Sequence, residues 1–459
     1  MGINMTKSDA KDMTVGSPVK LILAFSAPLI AGNIFQLLYT MVDTMVVGQK
    51  LGVTALAALG TIDTINWTTS GMVLGLTQGC GIIMSQTFGK KDNEKLSLVI
   101  GNSITLSAIM AIILLILIQL LINPALLFLR LDENIMPLSE MYLRIIIGGI
   151  PIVVAYNIGA VILRSIGDSK SPLKAMIIST VLNVVLDIIF VCYLNWGIAG
   201  AAIATLIAQL FSAIYCAKKI LSVDIITLKK KFFKPEISLI INLLKMGAPL
   251  ALQNVIISLG GLILQAIIDG YGVLVIAAST ATNKLYGILE CAASAYGYAM
   301  TTYVGQNYGA GNINRIRKGV TTANIISFIS CIIISAITIS FGKVFLGWFI
   351  NGTPEEELTT MKYAYIFLCT MSITLPILYI IYIFRSVMQG LGHPVIPMVT
   401  GFVELLIRLL AAWILPMKFG PSSLFVAHVL AWVGSDVLLI PGYYYCISKA
   451  KSAISEEKN

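Results

Sequence analysis

The amino-acid sequence predicts an all-α integral membrane protein, with twelve transmembrane helices in two parallel-repeat six-helix bundles around a central cleft. Three observations carry this prediction. The first is composition: 57% of the 459 residues are hydrophobic and 12% are charged, about half the charged share of a soluble globular protein. The mean hydropathy of +0.89 then describes a chain whose solvent is mostly lipid. The second is the recurrence of apolar runs along the whole length, and the third is an internal duplication.

Crossing the hydrocarbon as a helix takes about 20 apolar residues. Windows of that size give spans at 19–47, 53–86, 96–122, 138–164, 171–194 and 198–217, then at 240–268, 273–302, 319–341, 359–388, 395–415 and 420–447. Backbone in lipid must bond to itself, so runs of this length are helices. The residues before Gly16 are polar, and no cleavable leader with a basic start and a short apolar core is expected there.

Basic residues set the orientation, because cytoplasmic loops are enriched in Lys and Arg. The N-terminus, the alternate loops after spans 2, 4, 6, 8 and 10 and the C-terminus, with the span ends that adjoin them, hold 23 of them, against 6 counted likewise on the opposite side. Lys284 and Arg408 lie inside spans. Both termini are therefore expected in the cytoplasm, with the protein in the cell membrane. The net charge of +9 is positional, and no nucleic-acid partner is expected.

The duplication follows in order along the chain. "AFSAPLIAGN" (24–33) matches "KMGAPLALQN" (245–254), pairing Pro28 with Pro249 at an offset of 221 residues. "SQTFGKKDNEK" (85–95) matches "GQNYGAGNINR" (305–315), and "LRSIG" (163–167) matches "FRSVM" (384–388), Arg164 with Arg385. Asn183 and Asp187 pair with Glu404 and Arg408. Each half has six spans and begins on the same side, so the repeats are parallel, and transporter sites lie at such repeat interfaces. The division expected is an N-terminal lobe at 1–217, a basic linker at 218–239 that touches anionic headgroups, and a C-terminal lobe at 240–459.

Polar residues inside the spans are the candidate site. "TVLNVVLDIIFVCYL" (180–194) carries Asn183 and Asp187 in an otherwise apolar run, and a carboxylate at a helix centre in lipid costs ~2.5–3.5 kcal/mol on insertion scales. The two are four apart and share a helical face, as do Gln36, Tyr39 and Asp43 in span 1. Thr205 in span 6 is placed to join them. A carboxyl group in such surroundings is suited to taking up and losing a proton near neutral pH. A second polar cluster is possible at Lys284, Glu290, Glu404 and Arg408. Glu404 and Arg408, four apart with Glu first, read as a local structural pair; Lys284 and Glu290, six apart, do not share a face. Asp63 and Asp436 carry less information. Tyr286, Tyr296, Tyr298 and Tyr303 crowd span 8, where an aromatic cluster near a carboxylate suits an organic cation. In "RSIGDSKSP" (164–172), Gly167 suits a turn and Asp168 or Ser169 a helix cap.

Other function classes find little support. The seven cysteines are scattered, and the two histidines lie near none of them, so no metal site is expected. No GxxxxGK[ST] motif occurs, so nucleotide is not the expected energy source. No nucleophile–base set points to an enzyme.

"YTMVDTMVVGQKLG", "LRSIGDSKSP", "LNVVLDIIF", "GIAGAAIAT" and "VGQNYGAG" together resemble the multidrug and toxic compound extrusion (MATE) family, over roughly residues 15–450. The resemblance implies a monomeric twelve-helix exporter that expels organic cations and amphipathic drugs by alternating access, in exchange for H⁺ or Na⁺ and without a cofactor. It implies a cation-coupling and substrate site at Asp43, Asn183, Asp187 and Thr205, with Pro28 as the bending proline of helix 1. The NorM-type branch carries an acid in the middle of helix 7, where "APLALQNVIISLGG" offers Gln253, Asn254 and Ser258 instead. That departure favours the DinF-like, N-lobe pattern and H⁺ over Na⁺. The alternatives are a lipid-linked oligosaccharide flippase of the same superfamily, whose anionic cargo would want more basic residues in the spans, and a non-transporting membrane scaffold, which has no need of matched intramembrane polar residues.

Overall fold

The computed structural model describes residues 10–128, 135–350 and 352–458. Among them there is no strand. The chain order is α1 (Pro18–Leu51), α2 (Val53–Gly89), α3 (Asn93–Phe128), α4 (Met136–Gly148), α5 (Ile150–Ser165), α6 (Lys170–Asp187) and α7 (Gly197–Leu221). The second half repeats it with α8 (Ile237–Asp269), α9 (Val273–Gly309), α10 (Ile313–Gly347), α11 (Pro354–Ile373), α12 (Leu375–Gly390), α13 (Val395–Phe419) and α14 (Val426–Lys458).

Two pairs behave as one bent span each. α4 meets α5 at 46° and α11 meets α12 at 47°. Pro151 and Pro376 stand at the second residue of α5 and α12. Proline lacks the N–H that would continue the preceding helix and its ring crowds the carbonyl four residues back, so the axis breaks there. With each pair taken as one, ten segments are long and apolar enough to cross a membrane. α2 and α9, 37 residues each, are long enough but more polar, which brings the helical segments to the expected twelve.

The chain forms two compact units, and these differ from a simple cut at the linker. Unit 1 comprises residues 1–12 and 31–251; unit 2 comprises 13–30 and 252–459. The first part of α1 therefore belongs to unit 2, and the first part of α8 belongs to unit 1. Pro28 and Pro249 lie inside these two helices, in each case two residues before the point where the helix changes unit.

Each crossing segment is tightly held. In unit 1, α2 presents Gly75 and Gly79 to α8, where a Cβ on Gly79 would sit 2.3 Å from Gly247 Cα and one on Gly75 2.3 Å from the Ala251 nitrogen. This is the small-xxx-small contact by which membrane helices approach backbone to backbone, with dispersion and not hydrophobic burial as the drive. In unit 2, Ile22 and Phe25 of α1 are buried in a core with Ala299, Tyr303 and Ile316. Ahead of them the backbone of Met13 is pinned: its N–H donates to Gln306 Oε1 at 2.8 Å and its carbonyl accepts from Asn307 Nδ2 at 3.1 Å.

The stretch after α7 is docked on α3, and it is more than a tether. Asn102 Nδ2 donates to the Phe232 carbonyl at 3.1 Å, Thr105 Oγ1 donates to that of Phe233 at 3.0 Å, and the Glu236 N–H donates to Asn102 Oδ1 at 2.8 Å. Phe232 is buried, while Lys229, Lys230, Lys231 and Lys234 around it are exposed. In the joint between α5 and α6, Gly167 takes φ +88, and Asp168 Oδ1 accepts from the N–H groups of Lys170 and Ser171 at 3.0 and 2.9 Å. Asp168, one residue before the N-cap position Ser169, therefore supplies the capping side chain.

Gly79→Val is expected to lower thermal stability by about 1–3 kcal/mol, the usual range for overpacking, because backbone and not a flexible side chain occupies the space. Gly60→Val is the control, because a Cβ added at Gly60 would meet nothing within 4 Å. Monodispersity after a heat step reads both, and equal behaviour of the two variants would refute the close α2–α8 contact.

Candidate functional site

Unit 1 gathers four of the residues singled out in the sequence. Asn183 and Asp187 stand on consecutive turns at the end of α6, Thr205 is on α7 and Asp43 is on α1; all four are buried. The Asp187 carboxyl lies close enough to that of Asp43 for the two to interact electrostatically. In one amide orientation Asn183 Nδ2 donates to Thr205 Oγ1 at 3.4 Å. In the other, Nδ2 donates to Asp187 Oδ2 at 3.0 Å and Oδ1 accepts from the Thr205 N–H at 3.2 Å, which satisfies both ends of the amide. That orientation follows from the network, as amide assignments generally do. Asn183 thus ties α6 to α7 and presents a donor to the carboxyl of Asp187.

Two buried carboxyl groups set against each other call for a cation between them, since two carboxylates offer only acceptors and repel. The arrangement can hold a cation between the two carboxyl groups, and lets it go when the pair separates or is offered another partner.

Directly after Asp187, α6 widens into a π-helix, Ile188–Tyr193, and Asn195 beyond it adopts φ +54. Such insertions are rare and concentrate at functional sites. The apolar sequence "IIFVCY" gives no sign of it. Of the other residues expected here, Gln36 is exposed on α1, where its carbonyl accepts from Thr40 Oγ1 at 3.0 Å. The side chains of Tyr39 and Asp63 lie outside the described residues. Pro28 sits within α1, which continues as a helix through it. Gln209, one turn along α7 from Thr205, has a buried Oε1 with no partner among the described residues, and the sequence did not single it out.

Unit 2 assembles a different network. Glu404 accepts from Arg385 Nη2 at 3.1 Å and from Arg408 Nη2, so the expected Glu404–Arg408 pair is extended by a second guanidinium from α12. One turn from Arg385, the Tyr382 hydroxyl donates to Glu290 of α9. Asp436 of α14 is buried and interacts electrostatically with Arg385 and Glu404. Lys284, expected with this cluster, is exposed and joins no ion pair among the described residues. Tyr286 stacks on Trp432, with ring centroids 6.2 Å apart, and lies 6.4 Å from His428. Gln253, at the level where an acid was missing in the sequence, is buried; its Nε2 donates to the Pro397 carbonyl at 2.8 Å. It fastens α8 to α13.

Sequence position explains the contrast. Asp187 and Arg408 occupy equivalent places in the two repeats, and the residue equivalent to Asp43 is Leu264. Where unit 1 sets two acids against each other, unit 2 has two guanidiniums sharing an acid.

Comparison with known proteins agrees with the duplication. A family model described as MatE matches residues 28–189 and again 249–414. The probable multidrug resistance protein YpnP of Bacillus subtilis (strain 168) is 33% identical over 316 residues, 67% of this chain and 69% of that protein. The multidrug export protein MepA of Staphylococcus saprophyticus is 23% identical over 427 residues, covering 91% of this chain and 90% of that one. Among solved structures, a crystal structure of MATE in complex with MaL6 superposes with a TM-score of 0.89 at 22% identity, covering 98% of this chain and 100% of that chain. An outward-facing multidrug resistance MATE family transporter of the MOP superfamily gives 0.88 at 23%, with 98% and 99% covered; both show the fold. With each repeat matched by the same family model, this chain belongs to the MatE family.

Proposed function

We propose that the protein is a secondary active multidrug exporter that expels organic cations and amphipathic compounds by alternating access, in exchange for H⁺. The observation that carries the reading is the buried Asp43–Asp187 contact, braced by Asn183 and Thr205. A carboxyl pair that needs a proton to stay together is a two-state element: protonated it closes α6 on α1, deprotonated it repels. The π-helix beside it supports the same reading, because a π turn can return to α-helix and rotate the residues beyond it. Na⁺ would instead require both carboxylates ionised around the ion. The names of YpnP and MepA support the class of cargo. Charge placement supports cytoplasmic termini in the cell membrane, with the lysines at 229–231 and 234 towards anionic headgroups.

Asp187→Asn tests the coupling. The variant keeps the shape and removes a costly charge, so expression and monodispersity should hold. In proteoliposomes given a pH gradient and no ATP, the native protein should export dye, and Asp187→Asn should fall to the background of empty vesicles. Native-rate transport by folded Asp187→Asn would exclude this site as the coupling site.

Glu404→Gln behaves differently. Removing the shared acid strips Arg385 and Arg408 of the carboxylate that both hold, and breaking such a buried pair costs about 3–5 kcal/mol. The expected result is a large loss of thermal stability, with pH-gradient dependence retained by the surviving protein. The reverse, a stable variant that no longer responds to the gradient, would move the coupling role to unit 2.

The orientation is checked with a cysteine introduced at Lys230 and another at Thr353, in a background without reactive native thiols. A membrane-impermeant reagent outside intact cells should label the second and miss the first.

A further inference from the structure

We propose that residues 10–12 are a releasable strap: they lie on the α5–α6 joint of unit 1 in this structure and leave it during transport, while Met13 to Gly16 stay fixed in unit 2. The chain changes unit between Asp12 and Met13, so this short segment has one end in each. At the first end, the Lys11 N–H donates to the Ile166 carbonyl at 3.0 Å. Gly167 follows with φ +88, and a Cβ there would run into the Lys11 carbonyl oxygen. The glycine is therefore needed twice, for its backbone angle and for the passage of the strap. An Asp12 carboxyl oxygen lies 3.9 Å from Lys91 Nζ, at the turn after α2.

The two ends are built unequally. Met13 is fully buried, and its N–H and carbonyl both meet buried amides, Gln306 Oε1 at 2.8 Å and Asn307 Nδ2 at 3.1 Å. Arg315 Nη2 donates to the carbonyls of Met13 at 3.3 Å and Gly16 at 2.7 Å, and the Arg315 carbonyl accepts from the Tyr303 hydroxyl at 3.1 Å. Pulling Met13 out would strand buried donors and acceptors, at the full cost of their desolvation. The unit 1 end is nearer water. Lys11 is exposed, and Ala10 and Asp12 are half-buried, so water can replace their contacts as they part. The Lys91–Asp12 pair, with side chains 73% and 38% exposed, is of the kind that contributes little. Under load the strap therefore lets go of unit 1 and stays with unit 2.

The load comes from the helices on either side of the bond. Lys11 stands seven residues before α1, which carries Asp43, and Ile166 stands four residues before α6, which carries Asn183 and Asp187. The Lys11–Ile166 hydrogen bond thus ties the lead-in of one acid-bearing helix to the lead-in of the other. When the Asp43–Asp187 pair parts, α6 shifts against the Asp43 part of α1, and the shift reaches the strap. Seated, the strap holds the start of α6; lifted, it frees that start to move. No covalent bond changes: the Lys11 N–H and the Ile166 carbonyl exchange each other for water. The proposal rests on the exporter reading, because the transport cycle supplies the shift.

Two reporters test it, Ala10→Cys and Met13→Cys, each in the full chain without reactive native thiols, in inverted membrane vesicles that turn the cytoplasmic face outward. An impermeant maleimide is added at rest and while the vesicles take up dye under an imposed pH gradient. During uptake Ala10→Cys should react several-fold faster than at rest, and Met13→Cys should stay slow in both states. Adding Lys11→Pro removes the N–H that holds the strap and sets the rate of the lifted segment, which the native strap should approach only during uptake. Gly167→Ala should raise the Ala10→Cys rate at rest. Gly52→Ala should not, because Gly52 has a similar backbone angle, φ +83, with nothing within 4 Å of an added Cβ, so it carries the strain without the collision. Should Gly167→Ala fail to fold, Lys11→Pro at its exposed position makes the same comparison. Dye uptake with the Ala10→Cys rate unchanged overturns the strap and leaves the exporter reading standing. An equal rise at Met13→Cys overturns the unequal ends. Absence of dye uptake by the native protein sinks the exporter reading, and the release of the strap with it.

Discussion

An ionisable side chain held within a lipid-embedded helix bundle has no water to fall back on, and must take its partners from neighbouring helices. The interior of each unit is arranged to meet that requirement. In unit 1 the answer is a carboxyl pair, Asp43 with Asp187, whose remaining needs are met by Asn183. These few groups fix how α1, α6 and α7 approach, since Asn183 reaches Thr205 on α7 and Asp187 reaches Asp43 on α1. In unit 2 the same repeat position holds Arg408, and the answer is a shared carboxylate, Glu404. Duplication kept the backbone and reversed the sign of the charge. Two ionised acids repel, so the acid pair needs a cation between them to stay together. The Arg–Glu–Arg core is held together by its own opposite charges.

Much of this was legible in the sequence, and what was legible was local. Twelve segments followed from apolar length. The Glu404–Arg408 contact followed from a spacing of four, and the shared face of Asn183 and Asp187 followed in the same way. The repeat offset located Pro249 from Pro28. What stayed hidden depends on partners from distant helices. Arg385 was visible only as the repeat of Arg164, and nothing in its neighbourhood announced Glu404 as its acceptor. Tyr382 looked like one aromatic among many. Asn102 and Thr105 are ordinary polar residues of α3 until the carbonyls of Phe232 and Phe233 arrive over them. The π-helix was illegible for a different reason: a run that is apolar on every side shows no change of phase when one residue is added to a turn.

The exchange of helix halves has a consequence for the order in which the protein is made. Residues 13–30 belong to unit 2, and their partners Tyr303, Gln306 and Asn307 lie some 270 residues or more further along the chain. At a synthesis rate of ~5–20 residues per second, the beginning of α1 waits on the order of tens of seconds in the bilayer before its neighbours exist. Unit 1 is likewise incomplete until residues 237–251 have been made, although α7 ends at Leu221. Neither half can finish folding as it leaves the ribosome. The first span enters the membrane early and docks late, and during that interval it depends on lipid or on the insertion machinery to shield the close-packing face it will later bury.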